Sequence, residues 1–388
     1  MIRFTLVALA IVGLFFQGRS ADFQTRQICA EKGRYAGWPT LTRLKSGKLV
    51  VVFSGDRLSH VCPWGKVQMI TSEDQGETWS KPQTIVNDLV DDRDAGLVEL
   101  PNGNLALFYF SSLAFAEPAY ESYWRGHPDW REHLMKIGED EARRQVGAWV
   151  RLSRDGGKTW SGRVSTEVQT PHGGVLLRDG RLLMLGLRIK EGSRRYFAAE
   201  SADLGCSWRI VAELPLKGIK PHWSLGEPSL FEGLDGTLHG YFRYELGLGQ
   251  MLYVKSCDGG KTWSDPVVSD IEGFPPHFVR LRDKRVVCSY GCRTKGRIGV
   301  YARISSDDGK IWGEEVTLAR STDRDLGYAS TAELDDGSLL TVFYMHNGQD
   351  PQASIFATKW RPNESPALWY NTRILQGTRT DEEVSQCE

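Results

Sequence analysis

Three things are scarce in this chain of 388 residues. It has no basic excess: Lys plus Arg number 48 against 49 Asp plus Glu, a formal net charge of -1. A nucleic-acid binder carries a basic footprint, so that partner class is not expected. Cysteine is sparse and odd in number, at seven: Cys29, Cys62, Cys206, Cys257, Cys288, Cys292 and Cys387. At least one must be free, no CxxC metal spacing occurs, and the scatter is too wide for a disulfide framework. Cys288 and Cys292 lie four residues apart on one expected strand, about 13 Å, which is too far to bond to each other. Long apolar runs are the third scarcity. The single candidate is Phe4 to Phe16, preceded by Arg3 and followed by the small residues Gly18 and Ser20. That pattern predicts a secretory signal, residues 1–21, cleaved after Ser20 or Ala21, and a secreted or periplasmic protein. No other run is long enough for a helical membrane span.

What the chain does have is glycine, 41 residues, and tryptophan, 13. Glycine marks turns and tryptophan must pack, so the pair points to a turn-rich β protein. Both residues recur in register. Ser72-Glu-Asp-Gln-Gly-Glu-Thr-Trp79 returns as Ser153 to Trp160, Ser201 to Trp208, Ser256 to Trp263 and Ser305 to Trp312. Each copy follows an alternating apolar run and reads as a hairpin turn: the Asp accepts backbone N–H bonds, the Gly permits positive φ, and the Trp returns to the sheet. The intervals between the tryptophans are 81, 48, 55 and 49 residues. About 50 residues is one four-stranded propeller blade. A second signature, Leu44-Lys-Ser-Gly-Lys-Leu49, returns at Leu100, Leu177, Leu234, Leu281 and Leu334. Six copies predict an all-β, six-bladed propeller over residues 22–365, followed by a tail, 366–388. The sixth blade lacks the tryptophan turn. Its outer strand is expected from Thr25 to Glu31 or from the tail after Pro362, which would close the ring and protect the edges. The 81-residue interval holds an insertion, Ala114 to Gln145, with helical apolar spacing at Trp130, Leu134, Ile137 and Ala142. It is either a surface decoration or a rim over the site.

Successive antiparallel strands place both turn types on one face of the disc. The remaining loops and the entry to each innermost strand lie on the other. Those segments carry Asp56, Arg57, His60, Asp91, Asp92, Arg93, Asp94, His172, Glu227, Arg243, His277, Tyr290, Arg293, Asp325 and Tyr328. Polar side chains from several blades therefore converge at the mouth of the axial channel, the expected ligand site.

The tryptophan turns are the Asp-box signature, so residues 30 to 360 resemble the sialidase (neuraminidase) superfamily. The resemblance implies an exo-acting glycosidase that removes a terminal acidic sugar from a glycan. It also implies a Tyr nucleophile paired with a Glu, an Asp acid/base and three Arg on the substrate carboxylate. Tyr328 matches the nucleophile, six residues before Leu334. Glu227, in Gly-Glu-Pro-Ser-Leu, matches its partner, with Arg243 as the second Arg and Arg293 as the third. Asp56 matches the acid/base. Arg57, Arg93, Arg34, Asp92, Asp94, His60, His172, His277 and Tyr290 are the remaining candidates for substrate contact. The pattern breaks at the first Arg, where this chain has Gly37 in Gly-Trp-Pro-Thr-Leu; Arg34, Arg57 or Arg93 would have to substitute. Two alternatives stand beside this reading. One is another carbohydrate-active enzyme, such as a lyase on uronic-acid polymers, using His60, His172 and His277 as acid/base or metal ligands. The other is a non-catalytic glycan-binding propeller, in which Tyr328 and Glu227 would not touch. The leading reading needs no metal and no cofactor.

Overall fold

The computed structural model describes residues 23–362 except 119–120, 217–218, 220–224, 246–248 and 349. The expected leader (1–21) and tail (366–388) lie outside the described residues. Strand β1 (Gln24–Cys29) precedes the ring. Blade 1 is β2 (Tyr35–Arg43), β3 (Leu49–Arg57), β4 (Lys66–Ser72) and β5 (Gln83–Val86); blade 2 is β6 (Asp91–Glu99), β7 (Leu105–Ser112), β8 (Gly147–Ser153) and β9 (Val164–Ser165). Blade 3 is β10 (Val175–Leu176), β11 (Leu182–Lys190), β12 (Ser193–Ser201) and β13 (Arg209–Glu213); blade 4 is β14 (Leu225–Glu232), β15 (Leu238–Tyr244), β16 (Gln250–Ser256) and β17 (Val267–Glu272). Blade 5 is β18 (Phe274–Arg280), β19 (Val286–Cys292), β20 (Gly299–Ser305) and β21 (Val316–Arg320). Blade 6 takes β22 (Gly327–Glu333), β23 (Leu339–Met345) and β24 (Ser354–Trp360), and β1 completes it, antiparallel to β24 with Gln27 opposite Phe356. The protein is a six-bladed β-propeller closed by its N-terminal strand.

The inner strands are apolar on both faces because each blade is sandwiched between two others. In β3 the period of two sends Leu49, Val51 and Phe53 into a cluster shared with Leu340 and Val342 of blade 6. Val50 and Val52 point the other way, to Leu105 and Leu107 of blade 2. Strand β11 repeats the division, with Leu183 and Leu185 facing blade 4 and Leu182 and Met184 facing blade 2. Each buried Val or Leu contributes about 2 kcal/mol, and the pattern holds all six blades in one register.

The Asp boxes cap the outer hairpins with repeated bonds. Asp74 Oδ1 accepts from Thr78 N and Ser72 Oγ, at 2.9 and 2.7 Å, and Ser72 Oγ accepts from Gly76 N at 2.9 Å. Asp155, Asp203 and Asp258 make the same set, whereas Ile311 replaces the hydroxyl residue beside Asp307. These Asp side chains are structural, being committed to their own turns. A second repeat ties blade to blade: the Glu ending one innermost strand accepts the backbone N–H of the turn before it. Lys45 N reaches Glu99, Arg178 N reaches Glu232 and Arg282 N reaches Glu333, at 2.6 to 2.8 Å.

The insertion is helical, as its periodicity predicts, but broken. A 3-10 turn (Ala114–Ala116) and α1 (Glu121–Trp124) lead to α2 (Pro128–Ile137) and α3 (Glu139–Gln145), which part at Gly138 with φ +84°. Phe115, Trp130 and Ala142 bury against Val61 and Val90. Trp64 Nε1 donates to His133 Nδ1 at 3.2 Å, and the far side of the same ring meets Leu89 O at 3.0 Å. The insertion therefore packs on the two loops flanking His60 and Asp91, on the face opposite the Asp boxes.

Candidate active site

The site begins with a backbone irregularity repeated around the axis. In β2, β6, β14 and β22 the ladder to the next strand slips by a bulge, and the residue at the slip has positive φ: Trp38 (+53°), Asp94 (+49°), Glu227 (+45°) and Tyr328 (+51°). Each lies six residues before the one that opens its blade's inner turn, namely Leu44, Leu100, Gly233 and Leu334. Pro275 holds that place in blade 5, where the ladder also slips. Positive φ is disfavoured for large residues, and bulges re-aim side chains. A strained slot repeated in four blades is therefore a positioning device, and it turns these side chains towards one another at the channel mouth.

Two of the four join directly. Tyr328 Oη donates to Glu227 Oε1. Arg243 Nη1 donates to Glu227 Oε2 at 2.6 Å and to Tyr328 Oη at 3.4 Å, and Arg243 Nε donates to Glu245 at 2.7 Å. Burial, then the Glu227 charge, push the Tyr328 phenol well above its usual range. Burial opposes charge on Glu227, but Arg243 and the phenol bond hold it below the usual carboxylate range. The shared proton thus rests on Tyr328, and Glu227 stands as an ionised acceptor for it. Arg293 gives Nη2 to Leu326 O at 2.9 Å and to Tyr344 Oη at 3.1 Å. Arg243 and Arg293 both lie over the Phe274 ring, at 4.4 and 5.7 Å. Asp94 is buried, and its Oδ1 has no hydrogen-bond partner. Burial raises its carboxyl to about 7 against the opposing charge of Arg93, with the Glu227 charge adding to the rise.

A paired phenol and carboxylate with a buried acid beside them, on a propeller carrying five Asp boxes, narrows the family. The profile of the BNR repeat-like domain matches residues 19–219 and 97–341. The chain belongs to the BNR repeat-like domain family. Solved structures share the family fold. A protein of unknown function from Dyadobacter fermentans is 22% identical with TM-score 0.72, over 87% of this chain and 99% of that one. A Hadza microbial sialidase is 17% identical with TM-score 0.64, over 84% of this chain and 66% of its own. The NanB sialidase of Streptococcus pneumoniae is 16% identical with TM-score 0.62, over 87% and 70%. A search of curated protein sequences gives no match.

The propeller brings together only part of the set expected from sequence. Tyr328, Glu227, Arg243, Arg293, Asp94, Arg93 and His60 gather around Trp38 and Tyr344. Arg93 lies over the Trp38 ring at 4.5 Å, the His60 ring is 4.9 Å from it, and Tyr328 is 6.3 Å from it. Tyr290 does not join them. Its hydroxyl donates to Glu315 at 2.8 Å and its ring is buried between blades 4 and 5, because its parity in β19 points it away from the channel. Arg57 and Asp91 form a fully buried bidentate pair, with bonds of 2.5 and 2.8 Å, so this guanidinium braces the loop rather than facing a ligand. Asp92 anchors the same loop through Asp88 N and Ser111 Oγ, both at 2.7 Å. Asp56 has one oxygen on Lys66 and the other 3.3 Å from the exposed Arg34, so these three form a rim cluster. Among the described residues, no group of three or more His, Cys, Asp or Glu is arranged to hold a metal ion. Sequence reasoning missed Trp38, Tyr35 and Tyr344, three aromatics of the site wall. The six-residue offset marks Trp38; no comparable signal marks the other two.

His172 and His277 meet beneath Tyr328, with ring centroids 5.2 Å apart. His172 Nδ1 pairs with Thr40 Oγ1 at 2.9 Å, while His277 accepts from Thr331 N at 3.3 Å and meets Ser330 Oγ at 3.0 Å. They line the channel wall, with His172 buried. Burial pushes the His172 imidazole down to about 3, below its unfolded value of about 6.5. Between about pH 6.5 and 3 the unfolded chain binds this proton and the native chain does not, so stability falls as the pH drops through that window. Asp92 and Asp94, both raised to about 7 by burial, act in the opposite sense. A His172→Gln protein is therefore expected to lose less stability than wild type between pH 6.5 and 3.5. Urea titrations of both proteins across that range measure the difference, and parallel pH curves would refute it.

Proposed function

We propose that this protein is a retaining glycoside hydrolase that removes a terminal sugar through a glycosyl–tyrosine intermediate. The observation that carries the reading is the Tyr328–Glu227 hydrogen bond with Arg243 bonded to both partners. Tyr328 Oη attacks the anomeric carbon while Glu227 takes the phenolic proton, and the bond to the leaving oxygen breaks as that oxygen gains a proton. Asp94 is the proton donor in this reading. Its buried Oδ1 accepts no hydrogen bond, with Arg93 Nε 3.9 Å away, and its carboxyl, at about 7, still holds a proton near neutral pH. Asp56, the acid expected from sequence, has both oxygens occupied by cations. In the second step Asp94 takes a proton from water, the water oxygen bonds to the anomeric carbon, and Tyr328 recovers its proton from Glu227. Arg243 and Arg293 stabilise the negative charge that develops on the tyrosine oxygen as the intermediate breaks down.

The two other readings draw less support. A binding module requires Tyr328 and Glu227 apart. A histidine-based lyase requires His172 and His277 open to substrate, and burial keeps their imidazoles neutral within the channel wall. The test is stereochemical. With an activated aryl glycoside, proton NMR should show the first-formed sugar in the anomeric configuration of the substrate, and a fluorinated glycosyl fluoride should leave its label on the Tyr328 peptide. Inversion, or a label on a carboxylate, would exclude the mechanism.

A further inference from the structure

Position 37 is where the family resemblance expects an arginine, and its glycine has a steric cause. A Cβ there would lie 2.9 Å from Tyr35 Cε1 and 3.5 Å from Tyr344 Cδ2. Two tyrosine rings take that space, and both hydroxyls end on one carboxylate. Tyr35 Oη donates to Asp325 Oδ2 at 2.9 Å, and Tyr344 Oη donates to Oδ1 at 2.8 Å. His60 Nδ1 lies 3.2 Å from the same Oδ1, and His346 Nε2 stands 3.8 Å from Oδ2. Burial opposes charge on Asp325, but the bonds from His60 and the two phenols hold its carboxyl well below the usual range.

These contacts fix the tautomer of His60. A carboxylate only accepts, so Nδ1 must carry a hydrogen to face Oδ1. The other neighbour of Nδ1 is Tyr35 Oη at 3.3 Å, whose single hydrogen goes to the closer, charged oxygen of Asp325. That hydroxyl can therefore only accept from Nδ1 as well. Burial pushes the imidazole down, and the charges of Arg93 and Arg57 add to the fall while Asp325 opposes it, so the ring is neutral near pH 7. A neutral ring with its hydrogen on Nδ1 carries a lone pair on Nε2. The ring is also held in place. Trp38 meets it edge-on at 4.9 Å between centroids, and Arg57 Nη2 donates to His60 O at 3.0 Å. Its side chain is nevertheless 30% exposed on the site face, and Trp38 is a neighbour of the Tyr328 ring too.

We propose that His60 Nε2 is a fixed hydrogen-bond acceptor for a hydroxyl of the bound sugar, aimed by Asp325. His60 touches the substrate, and Asp325 acts through it as a positioning residue. The proposal rests on the reading of the Tyr328 mouth as the sugar site. It asks nothing of the sugar's charge, since any glycosyl residue presents hydroxyls. The guanidiniums of the mouth only donate, so a hydroxyl hydrogen needs an acceptor of another kind, and an oriented neutral imidazole is one.

The test pairs enzyme variants with deoxy substrates. Of the 4-methylumbelliferyl glycosides of N-acetylneuraminic acid, glucuronic acid and neutral hexoses, the one cleaved fastest is compared with its monodeoxy analogues. The enzymes are wild type, His60→Phe, His60→Gln and Asp325→Asn, with circular dichroism as the control for folding. On one analogue wild type should lose about 10- to 100-fold in kcat/KM, whereas His60→Phe should be as slow on the parent as on that analogue. His60→Gln, which keeps an acceptor oxygen, should recover part of the discrimination. Asp325→Asn frees the ring to change tautomer and should lose it. Asp325 also supports Arg293 through Tyr344, so discrimination between parent and deoxy sugar, rather than overall rate, isolates the His60 contact. Discrimination kept in full by either His60→Phe or Asp325→Asn would overturn the inference and leave the nucleophile in place. Turnover that survives Tyr328→Phe would overturn the nucleophile, and the deoxy comparison would then decide the inference alone. If no glycoside is cleaved, calorimetry with the free sugars replaces the rates. Binding at least about tenfold weaker in His60→Phe and Asp325→Asn supports the proposal, and equal binding, or none to wild type, overturns it.

Discussion

Tyr328→Phe should fold like wild type, bind substrate and lose at least about 1,000-fold in kcat. The substitution removes one oxygen from a side chain whose ring does the packing: Trp38 and His172 each lie 6.3 Å from it, centroid to centroid, and Tyr344 lies 5.9 Å away. The ring stays, and Glu227 keeps Arg243 when the phenol is gone. One hydrogen bond to a partly buried carboxylate is lost, about 1–2 kcal/mol of stability. Chemistry has no such reserve. Without Oη no atom at this position can bond to the anomeric carbon, and Glu227 has no proton to accept from it. Steady-state rates with the best glycoside, with circular dichroism as the control for folding, check the expectation. A kcat within tenfold of wild type would remove Tyr328 from the mechanism.

The largest effect on stability is expected at a residue that sequence reasoning assigned to the ligand. Arg57→Ala should destabilise the protein by about 3–5 kcal/mol, because it leaves the Asp91 carboxylate, in a place without solvent access, with only the more distant Arg93 at 3.8 Å. Arg57 also donates to His60 O at 3.0 Å and lies 5.1 Å from the Trp38 ring centroid, so the loop carrying His60 loses its brace. Gly65 passes so close that a Cβ on it would stand 1.9 Å from Arg57 Nη1, which shows how tightly the pair is enclosed. Arg57→Met combined with Asp91→Leu removes both charges and should recover much of the loss, since the cost lies in the unpaired ion rather than in the missing bond. Urea midpoints of the single and double variants measure both effects. A single variant within about 1 kcal/mol of wild type would show that water reaches Asp91 after all.

The architecture was legible because its determinants are local. Each Asp box closes its hairpin with bonds spanning two to four residues, as from Ser72 to Asp74 and from Asp74 to Thr78, so its copies in the sequence count blades directly. The Tyr328–Glu227 pair was also legible, through motif context on strands whose entry into the ring the turns had already placed. The same kind of reasoning failed for Tyr290 and Arg57. Both sit at the end of a second strand, where many site residues are found, yet parity turns Tyr290 between blades and an acid 34 positions later captures Arg57.

From the sequence alone came the six blades and the face that carries the site, whereas the pairing of a phenol with a carboxylate was implied only by the family resemblance. The blades and the face depend on short-range turn chemistry and on the two-residue period of a strand, and both are written in neighbouring letters. The tertiary structure alone decided which charges are spent on the protein and which remain for a ligand. Tyr35 and Asp325 are 290 positions apart, Tyr328 and Glu227 are 101, and Arg293 reaches Asp325 only through Tyr344. Ring closure makes such partnerships, because it brings every innermost strand to one axis. Burial then sets the protonation state of each group, and neither distance nor burial is visible in the order of residues.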